Sequence, residues 1–80
     1  MRLPRDLSGA DLIKRLGKLG YVQTRQAGSH VRLTIASPTQ NHVTIPLHSP
    51  LRVGTLSSIL ASVAAHQGVT QEQLIHRLYE

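Results

Sequence analysis

The stretch HVRLTIASPTQNHVTIPLH, residues 30–48, decides the fold, because apolar and polar residues alternate along both of its arms. The apolar positions of the two arms are Val31, Leu33, Ile35, Val43, Ile45 and Leu47. Successive side chains of a strand point to opposite faces, so each arm is typical of a strand that is buried on one face. The turn-forming cluster SPTQN, residues 37–41, joins the arms. The pattern therefore predicts an antiparallel hairpin with one apolar and one polar face.

The register of this hairpin is predicted from the requirement that both apolar sets share a face. That requirement allows Ile35 opposite Val43, and it then places His30 opposite His48, with Cβ atoms about 5 Å apart. A slip of two residues would keep the faces and separate the two histidines. Pro46 cannot donate to a strand ladder, so the second strand is expected at an edge of the sheet, or paired on one side only at that point.

A helix and a further strand are predicted before the hairpin. Ser8 followed by Asp11 has the form of a helix N-cap, and a helix is predicted over residues 9–19. The apolar face of that helix consists of Leu12, Ile13, Leu16 and Leu19. Residues 21–26 are a strand candidate, which the turn residues AGS, residues 27–29, connect to the hairpin.

Two helices are predicted after the hairpin. Gly54 or Thr55 is expected to cap the first of them, which ends near Gly68. Thr70, with Gln73 three residues later, is expected to cap a shorter second one. The order of helix, three strands, helix and short helix predicts an α+β domain with one antiparallel sheet, whose helices cover a single face.

The composition predicts one small basic domain, expected over residues 1–80. Nine Lys and Arg stand against four Asp and Glu, a formal net charge of +5, and no acid occurs between residues 12 and 71. Such a field attracts polyanions, with nucleic acid ahead of an acidic protein or an anionic membrane; a basic surface without a partner is the alternative. There is no apolar run near the roughly 20 residues of a membrane span. MRLPRDLSG lacks the apolar core of a signal peptide, so we expect a cytoplasmic protein without a membrane anchor.

The residue types restrict the possible chemistry. The chain has no cysteine, and its five histidines include no closely spaced pair, so neither a metal site nor another cofactor is expected. Nucleophile-elbow and paired-carboxylate patterns are absent as well. Histidine acid–base chemistry beside arginines remains, and RNA suits it because RNA carries its own nucleophile, the 2′-hydroxyl group. His30, directly after the Gly-Ser turn, is the candidate; an ordinary surface histidine is the alternative.

Basic residues provide candidate phosphate contacts on two elements. These residues are Lys14, Arg15 and Lys18 on the polar face of the first helix, and Arg25 and Arg32 on the strands. The helical group has an equally good interpretation as a solvated face. Tyr21 and Tyr79 are the only aromatic residues, too few for a platform on which bases stack. Any recognition of RNA is therefore expected to use backbone charge and shape.

Three stretches together are similar to a known family: LPRDLSGADLIKRLGKLGY, RQAGSHVRL and HVTIPLHSPLRVGTLSSIL. Over about residues 3–78 the chain resembles the HicA (YcfA-like) toxins of bacterial and archaeal toxin–antitoxin pairs. The resemblance implies a double-stranded-RNA-binding-domain-like fold, metal-independent mRNA cleavage, and a HicB antitoxin as partner. It implies that His30 of the Gly28-Ser29-His30 element is catalytic. The predicted register adds His48 as a possible assistant, which the family does not require.

Further expectations concern binding. Gly28 and Ser29 would let RNA approach the turn closely, although Gly28 also fits a plain hairpin glycine. The helix start GTLSS has no lysine, which disfavours duplex binding as the final function. A non-catalytic RNA-binding module with the same basic surface is the main alternative, and a protein that binds only an acidic partner is another. A monomer is expected in the free state.

Overall fold

The hairpin that begins at His30 forms two thirds of a three-stranded sheet in the computed structural model, which describes residues 6–79. The elements in chain order are α1 (Gly9–Gly17), β1 (Val22–Ala27), β2 (His30–Ile35), β3 (Asn41–Pro46), α2 (Val53–Gln67) and α3 (Gln71–Leu78). The sheet is antiparallel with the order β1-β2-β3. This confirms the predicted α+β architecture and the edge position of Pro46. Residues 1–5, the larger part of the segment considered as a signal peptide, and residue 80 lie outside the described residues.

The helices cover one face of the sheet, mainly over β2 and β3. Burial alternates along β2 as the sequence predicts: Val31, Leu33 and Ile35 are buried, whereas His30 is exposed. The helical side of the core is formed by Leu12, Leu16, Leu56, Ile59, Leu60, Val63, Ala64, Leu74 and Leu78. All six residues of β1 are exposed, so this edge strand extends the open face without adding to the core.

Local capping signals explain where α1 and α3 begin. The Ser8 side chain accepts a hydrogen bond from the Asp11 backbone N–H, at 3.1 Å. Thr70 and Gln73 form a reciprocal capping box at the start of α3. α2 ends at Gly68, whose φ of 68° lies in the left-handed region that glycine adopts without strain. These three predictions are confirmed.

Two predicted helix boundaries differ from the structure. α1 ends at Gly17, two residues before the predicted end, and Lys18 is its C-cap. α2 begins at Val53, with Arg52 as an N-cap that makes no side-chain hydrogen bond, so the prediction of Gly54 or Thr55 as the cap is wrong. The buried Leu51 just before the helix explains this difference. Its backbone N–H donates to the carbonyl of Leu7 at 2.8 Å and holds the chain where the helix starts.

The predicted register of the hairpin is wrong by two residues. His30 lies opposite Pro46, and Leu33 lies opposite Val43. The turn between β2 and β3 is tighter than predicted, because Ile35 already pairs with Asn41. A shift of two residues preserves the buried and exposed faces, so the alternating pattern fits either register equally well.

This correction moves Leu47 and His48 out of the strand. Leu47 is 40% exposed, and its backbone N–H donates to the Ser29 carbonyl at 2.7 Å. The His48 carbonyl accepts from the Gly9 N–H at 2.9 Å. His48 therefore does not pair with His30; its backbone contacts the start of α1 instead.

No helix within residues 6–79 is long and apolar enough to cross a membrane.

Candidate functional site

The open face of the sheet carries a shallow depression of about 350 Å³ to which all three strands contribute. Its lining residues are Arg25, Ala27, His30, Arg32, His42 and Thr44. We call it the sheet-face depression. It brings together three of the predicted residues, His30, Arg25 and Arg32, and its lining contains no carboxylate. Histidine and arginine side chains are suited to binding anions, and histidine can also exchange protons.

The β1–β2 turn sets the position of His30. Ala27 pairs with His30 across the turn, which leaves Gly28 and Ser29 as the two connecting residues. Gly28 has a φ of 59°, in the left-handed region, and a Cβ there would meet nothing within 4 Å. Glycine is therefore favoured by backbone conformation rather than by lack of space, which supports its interpretation as a hairpin glycine.

Arg25 and Arg32 lie directly opposite each other on β1 and β2. Like charges in such a cross-strand pair repel, at a cost of some tenths of a kcal/mol to about 1 kcal/mol. Within residues 6–79 neither guanidinium group has a hydrogen-bonding or ion-pairing partner. An anion bound in the sheet-face depression would relieve this repulsion, which makes the pair a candidate anion site.

His42 is a member of the sheet-face depression that the sequence analysis did not select. Its Nδ1 atom lies 2.8 Å from the Thr34 hydroxyl oxygen, which lies 2.9 Å from the Thr24 hydroxyl oxygen. His42 and Thr44 alternate with Val43 and Ile45, so the pattern already placed them on the polar face. The predicted register placed His48, and not His42, near His30 on this face.

The predicted basic residues of α1 lie apart from this depression. Lys14, Arg15 and Lys18, together with Asp11, line a second depression of about 120 Å³ that shares no residue with the first. Lys14 and Lys18 are exposed. The structure therefore divides the predicted RNA-binding residues into two groups on different elements.

Arg15 differs from the two lysines because its guanidinium group is already engaged. Its Nε atom donates to Asp11 Oδ2 at 3.0 Å, and its side chain also donates to the Leu78 carbonyl at 2.9 Å. The guanidinium carbon lies 4.0 Å from the centre of the Tyr79 ring. Burial raises the pKa of Tyr79, whereas the charge of Arg15 acts in the opposite direction. These contacts connect α1 to the end of α3 and favour a structural role for Arg15.

We expect the Arg15→Ala substitution to lower the free energy of unfolding by about 1–2 kcal/mol, because it removes a charged hydrogen bond and a cation–π contact. Urea unfolding followed by circular dichroism measures the change. The exposed neighbour Lys14→Ala is the control, with an expected change within about 0.5 kcal/mol. Equal stability of both variants, together with equal losses of RNA affinity, would contradict the structural role.

Tyr21 and His66 make hydrogen bonds within the fold and lie outside the sheet-face depression. Tyr21 is buried in the core and accepts a hydrogen bond from Asn41 Nδ2 at 2.7 Å; burial raises its pKa, and this hydrogen bond partly offsets the rise. His66 bonds to the Thr39 carbonyl through Nε2, at 2.6 Å, and to Gln67 through Nδ1, at 2.9 Å.

In the described part of the chain, no three His, Cys, Asp or Glu side chains are grouped so that they could hold a metal ion.

The fold and the site define a small basic α+β domain that presents histidines and arginines on the open face of a three-stranded sheet. A family model described as the HicA toxin of bacterial toxin–antitoxin systems matches residues 9–64, from the start of α1 into α2. The chain therefore belongs to the HicA toxin family: it is the toxin of a toxin–antitoxin pair and has an antitoxin as its partner. Searches of curated proteins and of solved structures gave no match.

Proposed function

We propose that this toxin is a metal-independent endoribonuclease that cleaves mRNA, with His30 as a general acid or base. The observation that carries the proposal is the placement of His30 beside Arg25 and Arg32 in one open depression without a carboxylate. Membership of the HicA toxin family supports a toxic activity of this kind. His30 is exposed, so a phosphodiester can reach its ring without a conformational change.

The chemistry uses the nucleophile within RNA. The 2′-oxygen attacks the adjacent phosphorus atom, the bond from phosphorus to the 5′-oxygen breaks, and the products carry a 2′,3′-cyclic phosphate and a 5′-hydroxyl group. His30 either removes the proton of the 2′-hydroxyl or donates one to the leaving 5′-oxygen. Arg25 and Arg32 stabilise the negative charge that develops on the phosphorane oxygens. Attack within one molecule needs no activated water, which is why the proposal requires no metal ion.

Other parts of the chain assist binding in this proposal. The Gly28-Ser29 turn borders His30 and leaves room for the RNA backbone. Lys14 and Lys18 attract RNA to the domain by long-range charge. His48 is left out of this proposal, because the register that suggested a role for it is wrong. We further propose one domain over residues 1–80, monomeric when free, which acts in the cytoplasm and has a HicB-like antitoxin.

The test is incubation of the purified protein with single-stranded RNA in the presence of EDTA, beside the His30→Ala variant. We expect fragments with 5′-hydroxyl ends from the native protein only. A 5′-hydroxyl end distinguishes attack by the 2′-oxygen from attack by water, which leaves a 5′-phosphate when the 3′-oxygen departs. Cleavage that stops when EDTA is added would contradict metal independence.

Binding of RNA without cleavage would instead indicate a non-catalytic RNA-binding module. In that case the affinity should fall steeply as salt rises, with a slope of about 0.7 per neutralised phosphate on single-stranded RNA. If the protein neither binds nor cleaves RNA, the remaining interpretation is a basic protein whose surface binds only its antitoxin.

A further inference from the structure

His42 is held in one orientation by a chain of hydroxyl groups that crosses the sheet. It lies opposite Thr34 on β2, and its Nδ1 atom is 2.8 Å from the Thr34 hydroxyl oxygen. The Thr34 hydroxyl in turn contacts the Thr24 hydroxyl at 2.9 Å, and Thr24 donates to the Arg32 carbonyl at 3.4 Å. The network fixes the His42 ring at the lining of the sheet-face depression, where a bound ligand would meet it.

The hydrogen-bonding capacity of this chain fixes the direction of the bond to His42. Each hydroxyl has one hydrogen: Thr24 donates to the Arg32 carbonyl, so Thr34 donates to Thr24 and accepts from Nδ1 of His42. Nδ1 therefore carries a hydrogen, and a ring that is protonated on both nitrogens also donates from Nε2, an arrangement that a negatively charged ligand favours. A phosphate oxygen is a suitable acceptor, and within the described residues no protein group bonds to this nitrogen.

His42 and His30 are too far apart to act on one phosphate. His30 is four residues from Thr34 along β2, a separation of about 13 Å between backbones. The Arg32–Thr44 pair lies between them. Side chains stand roughly perpendicular to a sheet, so the two rings stay well separated although they line the same depression.

We propose that His42 is a second RNA-binding residue, which donates from Nε2 to a phosphate other than the one that is cleaved. The RNA backbone then runs along β2 and β3, from His30 past Arg32 to His42. This proposal rests on the proposed function for the nature of the ligand. It adds to that function a substrate path and a binding residue outside the cleavage point.

The first test measures cleavage of a single-stranded RNA by the His42→Ala variant. We expect KM to rise about tenfold with kcat nearly unchanged, the effect of losing one charged hydrogen bond that is equally strong in the ground and transition states. His76→Ala, a histidine substitution on α3, is the control and should leave both constants unchanged. A kcat that falls as far as in His30→Ala would place His42 at the scissile phosphate and overturn the proposal.

The Thr34→Val substitution tests the role of the hydroxyl chain. It keeps the shape of the side chain and removes the bond to His42, so we expect KM to rise severalfold. In the His42→Ala background the same substitution should have no further effect, because the two residues act through one contact. Additive effects of the two substitutions would show that Thr34 does not act through His42.

The second test does not require activity. Binding of the same RNA is measured by fluorescence anisotropy in a His30→Ala background, with and without His42→Ala. An increase of about tenfold in Kd supports the proposal. This holds even if the native protein cleaves no RNA, because the absence of cleavage would contradict only the proposed function. An unchanged Kd in a variant that melts like its parent would overturn the proposal, whatever the activity.

Discussion

The His30→Ala variant is expected to cleave RNA about 10²–10⁴ times more slowly than the native protein, the usual effect of losing a general acid or base. Its fold should be unaffected, because His30 is exposed and its pairing with Ala27 and Pro46 uses the backbone alone. RNA affinity should change only severalfold, since Arg25 and Arg32 remain in the sheet-face depression. The loss is therefore expected in kcat, in contrast to the effect on KM that is expected of His42→Ala.

Single-turnover cleavage under saturating protein measures this loss without interference from product release. Circular dichroism melting of each variant verifies that the proteins are folded, and His76→Ala again provides the comparison. A rate for His30→Ala within tenfold of the native rate would remove His30 from the catalytic role. The growth of cells that produce each variant without the antitoxin offers an independent measure, in which His30→Ala should not be toxic.

The Gly9→Ala substitution is expected to destabilise the protein by at least about 3 kcal/mol, the upper part of the range for overpacked sites. Gly9 is buried where α1 meets the end of β3. A Cβ there would collide with the carbonyl oxygen of Pro46 and lie 2.9 Å from its carbonyl carbon and 3.2 Å from the Cα of Leu47. All these atoms belong to the backbone, so no side-chain rotation can relieve the collision. The Gly9 N–H bond to the His48 carbonyl would be lost as α1 moved away.

Gly17→Ala is the matched control for this prediction. Gly17 lies in the same helix, and a Cβ at its position would meet nothing within 4 Å. Alanine has the higher helix propensity, so we expect the stability to stay unchanged or to rise by up to about 1 kcal/mol. Urea unfolding compares the two variants directly. Equal unfolding midpoints would mean that the approach of α1 to β3 is not a tight contact.

The Gly9 contact also concerns the candidate active site. Pro46 lies opposite His30 in the sheet, and Leu47 bonds to the Ser29 carbonyl beside it. A displacement of α1 would therefore disturb the end of the sheet on which His30 lies. We expect Gly9→Ala to reduce cleavage through loss of folded protein, and low temperature should restore part of the activity.

Much of the candidate site could be predicted from residues that are close in the chain. The Gly28-Ser29 turn places His30 at the first position of β2, and the period of two assigns Arg32 to the same face as His30. The pairing of Arg25 with Arg32 needed the structure, because a bulge between Gln23 and Arg25 shifts the register of β1. The inclusion of His42 needed it as well, because a histidine on a polar strand face is unremarkable until its hydroxyl partners are known.

The sequence by itself determined the order of the elements, the buried and exposed faces of β2 and β3, and the helix ends at Ser8, Gly68 and Thr70. Each of these features depends on a few neighbouring residues, through capping, backbone conformation or a repeating pattern. Only the tertiary structure decided that His30 faces Pro46 and that Arg15 connects α1 to α3. Two registers that differ by two residues bury the same faces, and partners 63 residues apart, such as Arg15 and Leu78, leave no local signal. Those choices depend on turn length and on long-range packing, which are settled when the whole chain folds.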